Sequence, residues 1–454
     1  MPFVSIDPTT GRRLRAYRDH SLVEIETALR RADRAYRDWR ERTPRDRARH
    51  LRSIARVLRA RSPELAALIT SEMGKPLAQA RAEIEKSALT CEHYARQARH
   101  YLAEERPPGA PANARVAFEG LGVVLAIMPW NFPVWQVVRA AAPILSAGNA
   151  FLLKHAPNVC GSALAIAKVF AAAGLPAGLF QTLLVSTDRI PAIIADRRVQ
   201  AVTLTGSTRA GRTVAALAGA VMKKGVFELG GNDPYLVLAD ADLDQAAEIC
   251  ANSRLINSGQ SCVCAKRFIV VAAIRREFEA KFAARLAARR IGDPREPATD
   301  VGPIARGDLR DRLHAQVTAS IKQGAHLVMG GHPVPGPGFF YETTLLTNVK
   351  KGQPAYDEEL FGPVAAIIRV RDEAAAILAA NDSIYGLGAA IFSRNRRRAR
   401  AVASRLQAGA VFINDFVRSD PTMPFGGIKQ SGHGRELGQY GALEFTNIKT
   451  IVVS

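Results

Sequence analysis

The sequence predicts an α/β fold of two domains, each a mostly parallel sheet with crossover helices. Two observations lead there. From about residue 120, short apolar runs alternate with Ala-rich helical segments, the rhythm of strand, helix, strand that parallel sheets require. After Glu228 that rhythm restarts with a fresh set of runs. The 454 residues suffice for roughly two to four domains of about 100–200 residues each.

The elements follow in order. Ser21 and Glu24 form a capping box, and Leu22, Ile25, Leu29, Ala32, Tyr36 and Trp39 keep a helical period, so 21–40 reads as a helix. A second helix opens at Thr43-Pro44, with Pro in the first helical position and Ala48, Leu51, Ile54 and Leu58 on its inner face. ERPPGAPANA (105–114) is a linker or the start of β structure. VVLAIMPW, AFLLKHA, FQTLLV and AVTLTG read as strands, with SALAIAKVFAAAG a helix between them. Beyond Glu228, YLVLAD, a helix, KRFIVVAA and the helical REFEAKFAARLAAR form the second unit. No internal repeat is present.

Composition excludes whole classes. Apolar residues make up 48% and charged residues 23%, with Gly 35 and Pro 25, which rules out wholesale disorder, collagen and a small disulfide scaffold. The five cysteines, at 91, 160, 250, 262 and 264, form no CxxC pair; neither a disulfide framework nor a zinc ribbon is indicated, and a cytoplasmic setting with no metal is the expectation. The first residues carry no signal-peptide core. Gly120–Val138 is uncharged, but Pro129 and Pro133 would break a membrane helix, so it reads as a buried strand entering a functional loop. Lys and Arg exceed Asp and Glu, 62 to 42, for a net charge of +20. Arg45, Arg49, Arg52 and Arg56 form one stripe, and Arg394 with Arg396, Arg397 and Arg398 a cluster. These are solvated helix faces rather than a nucleic-acid surface, because no aromatic residues interleave and no nucleic-acid-binding signature accompanies them. A positive field can still draw in anionic substrates.

Four segments can carry chemistry. AVTLTGSTRAGRT (201–213) runs a strand into a Gly-rich turn that opens a helix, where free N–H groups and the helix dipole suit a phosphate. It differs by one residue from a P-loop, with Arg212 in place of Lys, and arginine does not replace that lysine's point charge; a bare tight turn is the plain alternative. INSGQSCVCAKR (256–267) sets Cys262 in a small, polar segment followed by Lys266 and Arg267, an electropositive setting that favours thiolate, although isolated cysteines commonly serve packing. On a strand, Cys264 would share a face with it. VFELGGNDP (226–234) ends an apolar strand on Glu228, a carboxylate whose pKa an apolar mouth would raise toward that of a general base. IMPWNFPVWQVVR (127–139) fixes Trp130 and Asn131 between two prolines, and a rigid Asn can donate to an oxyanion.

Taken together, PWNFP, LLK, TGS, ELGG, GQSC, EELFGP and PFGG, in that order, resemble the aldehyde dehydrogenase superfamily along nearly the whole chain. LLKHAPN, GQSCVCAKR and FGGIKQSGHGRELG are similar to bacterial NAD(P)-dependent succinate-semialdehyde dehydrogenases. The resemblance implies an aldehyde dehydrogenase fold. Residues 1–105 and 124–228 would form the Rossmann-like NAD(P)-binding domain, and 229–413 the catalytic domain. Residues 106–123 and 430–454 would form a small β extension for oligomerisation, and 414–429 a substrate-site loop and return segment. An exposed edge strand pairs readily with another chain, so a homodimer or homotetramer is expected.

It also implies residue roles. Cys262 would attack the aldehyde as thiolate, Asn131 would hold the oxyanion with the Cys262 N–H, and Glu228 would activate water against the thioester. Ile127, Trp130, Asn131, Lys154, His155, Ala156, Pro157, Gly206, Ser207, Leu229, Glu359 and Phe361 would bind NAD or NADP, with Lys154 on the adenosine ribose, Ser207 on the pyrophosphate and Glu359 on the nicotinamide ribose. Pro157 stands where NAD-preferring members carry Glu, which implies use of both cofactors. Arg139 and Ser419 would grip a substrate carboxylate; a second family arginine is replaced by Ile256, and Arg418 is its candidate substitute. Cys264 matches a position that forms a reversible disulfide with the nucleophile in related enzymes. The leading expectation is oxidation of a small aldehyde, succinate semialdehyde or a similar short ω-carboxy aldehyde, with no nucleic-acid or membrane partner. The alternatives are another aliphatic or aromatic aldehyde, a basic nucleotide- or nucleic-acid-binding protein, and a catalytically silent scaffold.

Overall fold

The computed structural model describes residues 3–454. It contains a six-stranded sheet in the order Gly432–His433, Lys224–Glu228, Val199–Thr205, Val123–Met128, Ala150–His155 and Phe180–Thr182. All pairs are parallel except the short edge pairing of Gly432–His433 with Lys224–Glu228. Helices cover both faces, so Val123–Leu125 and Phe151–Leu153 are wholly buried, and their sequences run apolar without alternation. The register aligns Met128 with His155 and Thr205 with Glu228. The carboxyl ends of the strands therefore form one rim, the edge at which open α/β sheets bind ligands.

The second sheet has seven strands, His326–Met329, Thr344–Thr347, Val364–Val370, Arg267–Val271, Pro234–Val237, Gly388–Phe392 and Ala410–Ile413 in spatial order. Only the first pair is antiparallel. Cys262 lies in the loop that enters its central strand Arg267–Val271.

The early helices form as their caps direct. Leu22–Arg40 starts at Ser21 with the reciprocal Ser21–Glu24 bonds, and Pro44–Ala60 starts at Thr43, whose hydroxyl accepts from the Asp46 N–H. Ile25, Leu29, Ala32 and Trp39 are buried, and the Trp39 indole N–H donates to the Leu145 carbonyl at 2.9 Å. The helix Leu77–Tyr101 packs on Pro44–Ala60, on Ser62–Met73 and on Trp135–Ser146. Its buried face is part polar, with Glu83, Ser87 and Thr90 beside Ile84 and Ala88. A purely apolar pattern does not find such a helix.

The β extension is smaller than residues 106–123 and 430–454 suggest. Ala114–Gly120 pairs antiparallel with Thr446–Val452 along its whole length, and Ile448, Val452 and Val453 remain exposed. Val123 already belongs to the six-stranded sheet. Gly432–His433 joins the same sheet, and Gly438–Leu443 is a helix against Leu77–Tyr101. Glycine permits the close approach at 432: φ is +116°, and a Cβ there would lie 1.9 Å from the Phe227 carbonyl oxygen. Gly120–Val138 divides into strand, loop and helix. Among the described residues no helix is long and apolar enough to cross a membrane.

Candidate active site

The loop after Met128 carries Trp130 and Asn131, and its shape depends on an acid from another helix. Glu83 accepts from the backbone N–H groups of Val134 and Trp135 at 2.8 and 2.9 Å, so it caps the helix Trp135–Ser146. Its second oxygen pairs with Lys75, whose ammonium sits 3.7 Å from the Phe132 ring centroid. Both charges are fully buried, so each compensates the other. His155, expected at the cofactor, instead braces this loop. Its Nε2 donates to the Pro133 carbonyl at 2.9 Å and its Nδ1 accepts from the Ala156 N–H, a tautomer assigned from the bonds. Burial pushes its pKa down to about 4.

A strained turn presents the thiol. Asn257 and Ser258 are buried in left-handed conformation, at φ 54° and 56°, and hydrogen bonds hold them there. The Asn257 amide donates to the carbonyls of Asn131 and Gln260, and the Ser258 hydroxyl accepts from the Gly302 N–H. The Asn131 Nδ2 donates to the Gln260 carbonyl at 3.0 Å. That bond uses one of its two N–H groups and leaves the other for an incoming oxygen. Gly230 and Gly231 let neighbours close in. Added Cβ atoms would stand 2.6 Å from a Glu359 carboxylate oxygen and 2.7 Å from the Cys262 carbonyl oxygen.

Cys262 is half-buried, and its surroundings favour the thiol over the thiolate. Burial pushes its pKa up to about 12, against the pull of Arg139 and Lys266. Of the electropositive pair expected at the sulfur, Lys266 does pull its pKa down, but burial outweighs that pull. Lys266 Nζ donates to the carbonyls of Ser261 and Cys262 and lies 3.6 Å from Glu359. Arg267 is buried and donates to the carbonyls of Asn232, Ala379 and Ala380. Cys264 does not share a strand face with Cys262, because residues 262–264 form a turn and the strand begins at Arg267. Its buried sulfur accepts from Arg254 at 2.9 Å and lies 3.0 Å from the Ser261 carbonyl oxygen.

Glu228 ends its strand fully buried, with neither carboxyl oxygen hydrogen-bonded to protein. Burial first, then Glu436, raises its pKa far above the usual carboxylate range, against the pull of Arg139 and Arg435. Burial also raises Glu436, but Arg139 contacts that carboxylate directly. Direct contact with Arg139 therefore favours charge on Glu436, while burial without such a contact favours the proton on Glu228. Gly426 makes room for Glu228, since a Cβ there would lie 2.6 Å from its Oε1.

Arg139, expected on a substrate carboxylate, has internal partners in this structure. Arg139 is buried, pairs with Glu436 and donates to the Thr205 hydroxyl at 3.0 Å. Two buried carboxyls claim its charge. Arg418, the candidate substitute for the arginine missing at Ile256, pairs with Asp415 and lies over Phe416, with about half its side chain exposed. Ser419 instead accepts from Lys86 Nζ at 2.8 Å.

The cofactor candidates occupy the strand rim. Lys154 is buried, its pKa lowered by that burial, and among the described residues no carboxylate lies within ion-pair distance of it. Ser207 caps the helix Thr208–Ala220, and Gly206 donates to the Glu228 carbonyl at 2.9 Å. Leu229 packs under Gly211, where a Cβ would come within 2.3 Å of its methyl. Trp130 and Phe361 meet edge to face at 5.7 Å. Ile127 and Ala156 are half-buried at strand ends, Pro157 is exposed, and Arg212 points to solvent without a P-loop role. Lys75, Glu83, Lys86, Gln260 and Glu436 escaped sequence reading, although Glu83 and Lys86 fall at i, i+3 on one helix face.

Comparison with known proteins adds an independent line. The aldehyde dehydrogenase family model matches residues 2–451. The chain is 48% identical over 448 residues to the NAD(P)+ succinate semialdehyde dehydrogenase Sad of Escherichia coli, covering 99% of this chain and 97% of that one. It is 45% identical to the NADP+ succinate-semialdehyde dehydrogenase 1 of Mycobacterium tuberculosis, with both chains fully covered. A solved succinic semialdehyde dehydrogenase from Streptococcus pyogenes in complex with NADP+ superposes with a TM-score of 0.97 at 36% identity over 99% of each chain.

Two outcomes follow from the buried charges. Alkylation of Cys262 by iodoacetamide in cofactor-free protein, followed by mass spectrometry, should keep accelerating with pH past the range of an ordinary thiol; a plateau near neutrality would contradict the burial argument. Glu83→Gln should lower stability by about 3–5 kcal/mol, as loss of one partner of a buried pair does, seen as a lower urea midpoint. A midpoint equal to the parent's would show that Glu83 does not hold Lys75 and the loop.

Proposed function

The chain belongs to the aldehyde dehydrogenase family, and from that premise we propose that it oxidises succinate semialdehyde, or a similar short ω-carboxy aldehyde, to the dicarboxylic acid with NAD or NADP. The observation that supports the chemistry is that Glu228 lies near enough to Cys262 to act on its charge, while Asn131 bonds the Gln260 carbonyl two residues before Cys262. The relatives named for succinate semialdehyde support the substrate class.

The rim fits a dinucleotide. Lys154, a buried ammonium without a counter-charge, suits ribose hydroxyls or a 2′-phosphate. The helix opened by Ser207 has free N–H groups for a pyrophosphate, and Glu359 would accept from hydroxyl groups of the second ribose. Pro157 offers neither a hydrogen bond to a 2′-hydroxyl nor repulsion against a 2′-phosphate, which supports use of both cofactors. In this reading 1–105 and 124–228 carry the cofactor and 229–413 the catalytic domain. The exposed strand Thr446–Val452 supports a homodimer or homotetramer.

The protein's part in the reaction follows from its protons. At rest both Cys262 and Glu228 hold one, and the reactive form has lost one of the two. The sulfur then bonds to the aldehyde carbon, and the carbonyl π electrons move onto oxygen. That oxygen accepts from the free Asn131 amide N–H and the Cys262 backbone N–H. The nicotinamide, when bound, accepts the two electrons and the hydrogen that leave this carbon. Glu228 then gives up its own resting proton to solvent, and the resulting thioester on Cys262 is attacked by water, whose proton passes to the Glu228 carboxylate so formed. The carbon–sulfur bond breaks, and the thiolate regains a proton. Each cycle consumes one aldehyde and one water, yields one acid, and releases one proton.

Three measurements test this. In an aldehyde series scored by reduced-nicotinamide absorbance, succinate semialdehyde should have the highest kcat/KM; absence of any aldehyde oxidation would overturn the reading. Glu228→Gln should retain the first turnover and slow later ones by about 10²–10⁴, giving a burst of one reduced nicotinamide per site. Loss of the burst together with turnover would place Glu228 before the thioester. Pro157→Glu should lower kcat/KM for NADP at least about tenfold, 1.4 kcal/mol, with a smaller change for NAD. Equal changes would remove residue 157 from cofactor choice.

A further inference from the structure

The seam between the helices Pro44–Ala60 and Leu77–Tyr101 changes character along its length. Toward one end it is ion-paired, with Arg59 holding Glu85 and Glu92 across it. Toward the other end only cations meet. Arg45, Arg47 and Arg52 on the first helix and Arg96 and Arg99 on the second line an open cavity of about 280 Å³, and no acidic side chain lines it. Among the described residues none of these five arginines forms an ion pair, whereas Arg49, on the same helix, holds Asp46. Arg47 is the least exposed of the five. Its Nε is buried without a hydrogen-bond partner. Its Nη1 lies so close to Gly148, where φ is +92°, that a Cβ there would stand 2.2 Å from it. Burial works against the charge of Arg47, but a guanidinium keeps its proton in proteins. The fold therefore holds a partly desolvated cation with no counter-charge, a costly arrangement until an anion arrives.

The cavity exists because small side chains line the seam there. Ala48, Ala95 and Ala98 face it, and a methyl group does not fill the space between two helices. Arg96 and Arg99 stand at i, i+3 on their helix, and like charges at that spacing repel. An anion between the helices relieves that repulsion. Two features narrow its chemistry. Guanidinium groups reach the cavity from both helices, which suits a phosphate, whose oxygens accept from several directions and take bidentate bonds from arginine. Tyr94 is the one aromatic residue lining the cavity, and it is fully buried with its hydroxyl donating to the Gly438 carbonyl at 3.1 Å, so no ring is offered to a nucleobase. The site is also remote from the chemistry. It reaches Ser146, at the far end of the helix Trp135–Ser146 from the Asn131 loop, about 16 Å along the axis. We propose that this cavity binds a compact, non-aromatic metabolite carrying two or more phosphate groups, at a site separate from those for aldehyde and dinucleotide. The inference does not depend on the semialdehyde reading above.

Isothermal titration calorimetry with pyrophosphate tests this, on protein saturated with NAD so that the dinucleotide site is filled. One pyrophosphate should bind per chain, more tightly than citrate or sulfate at the same ionic strength. Arg47→Gln and Arg96→Gln should each weaken binding at least about tenfold, the worth of one charge-assisted hydrogen bond. Arg56→Gln, on the same helix but outside the cavity, should leave it unchanged. Arg96 is exposed, so its variant keeps the test readable even if Arg47→Gln folds poorly. Absence of binding, or binding indifferent to both substitutions, would overturn the proposal. Tighter binding of citrate would overturn the phosphate class. Tighter binding of a short DNA duplex, lost with the same substitutions, would overturn the small-molecule reading in favour of nucleic acid. A parent that binds no pyrophosphate, with an oligomeric state that changes in Arg96→Gln, would overturn it in favour of a contact with a second copy of the chain.

Discussion

One guanidinium governs the site. Arg139 is the buried cation shared by three acids, Cys262, Glu228 and Glu436. Placing an uncompensated charge in this environment is prohibitive, and the groups respond by keeping their protons. Arg139 stabilises one anion, and its direct contact with Glu436 decides which. Cys262 and Glu228 are left neutral, one as a thiol and one as an acid. A resting enzyme of this kind protects its nucleophile from indiscriminate reaction, while both groups remain one proton from reactivity.

The scaffold supports that arrangement from several directions. Glu83 and Lys75 fix the loop that presents Asn131 and the start of the helix that carries Arg139. Left-handed Asn257 and Ser258 aim Cys262 from the other sheet, and they are tied to the same loop through Asn131 and Gln260. The glycines at 230, 231 and 426 are close-approach positions, where a single methyl group would collide with Glu359, the Cys262 backbone or Glu228. With the active groups desolvated, each hydrogen bond made to a developing oxyanion is stronger than it would be in water.

Much of this was legible in the sequence, for local reasons. The capping box at Ser21, the Pro after Thr43 and the unbroken apolar runs at 123–128 and 150–155 each report a nearby constraint, and the structure bears them out. Motif order led to the family along the whole chain. Direction was not legible. Lys266 and Arg267 follow Cys262 closely, yet their donors face backbone carbonyls, and burial outweighs the pull of Lys266 on the thiol. Arg139 looked free because its partner, Glu436, lies far along the chain, in a segment read as part of the β extension. The helix carrying Glu83 and Lys86 escaped notice because its inner face includes polar groups that only tertiary partners explain.

The central claim is that the resting cleft holds Glu228 as a neutral acid, with Glu436 as the lone carboxylate on Arg139. Infrared difference spectroscopy of cofactor-free protein at neutral pH, parent minus Glu228→Gln, measures this directly. The account predicts the carbonyl stretch of a protonated carboxylic acid in the parent, absent from the variant, with no loss of carboxylate bands. A difference spectrum showing only the symmetric and antisymmetric stretches of an ionised carboxylate would contradict it.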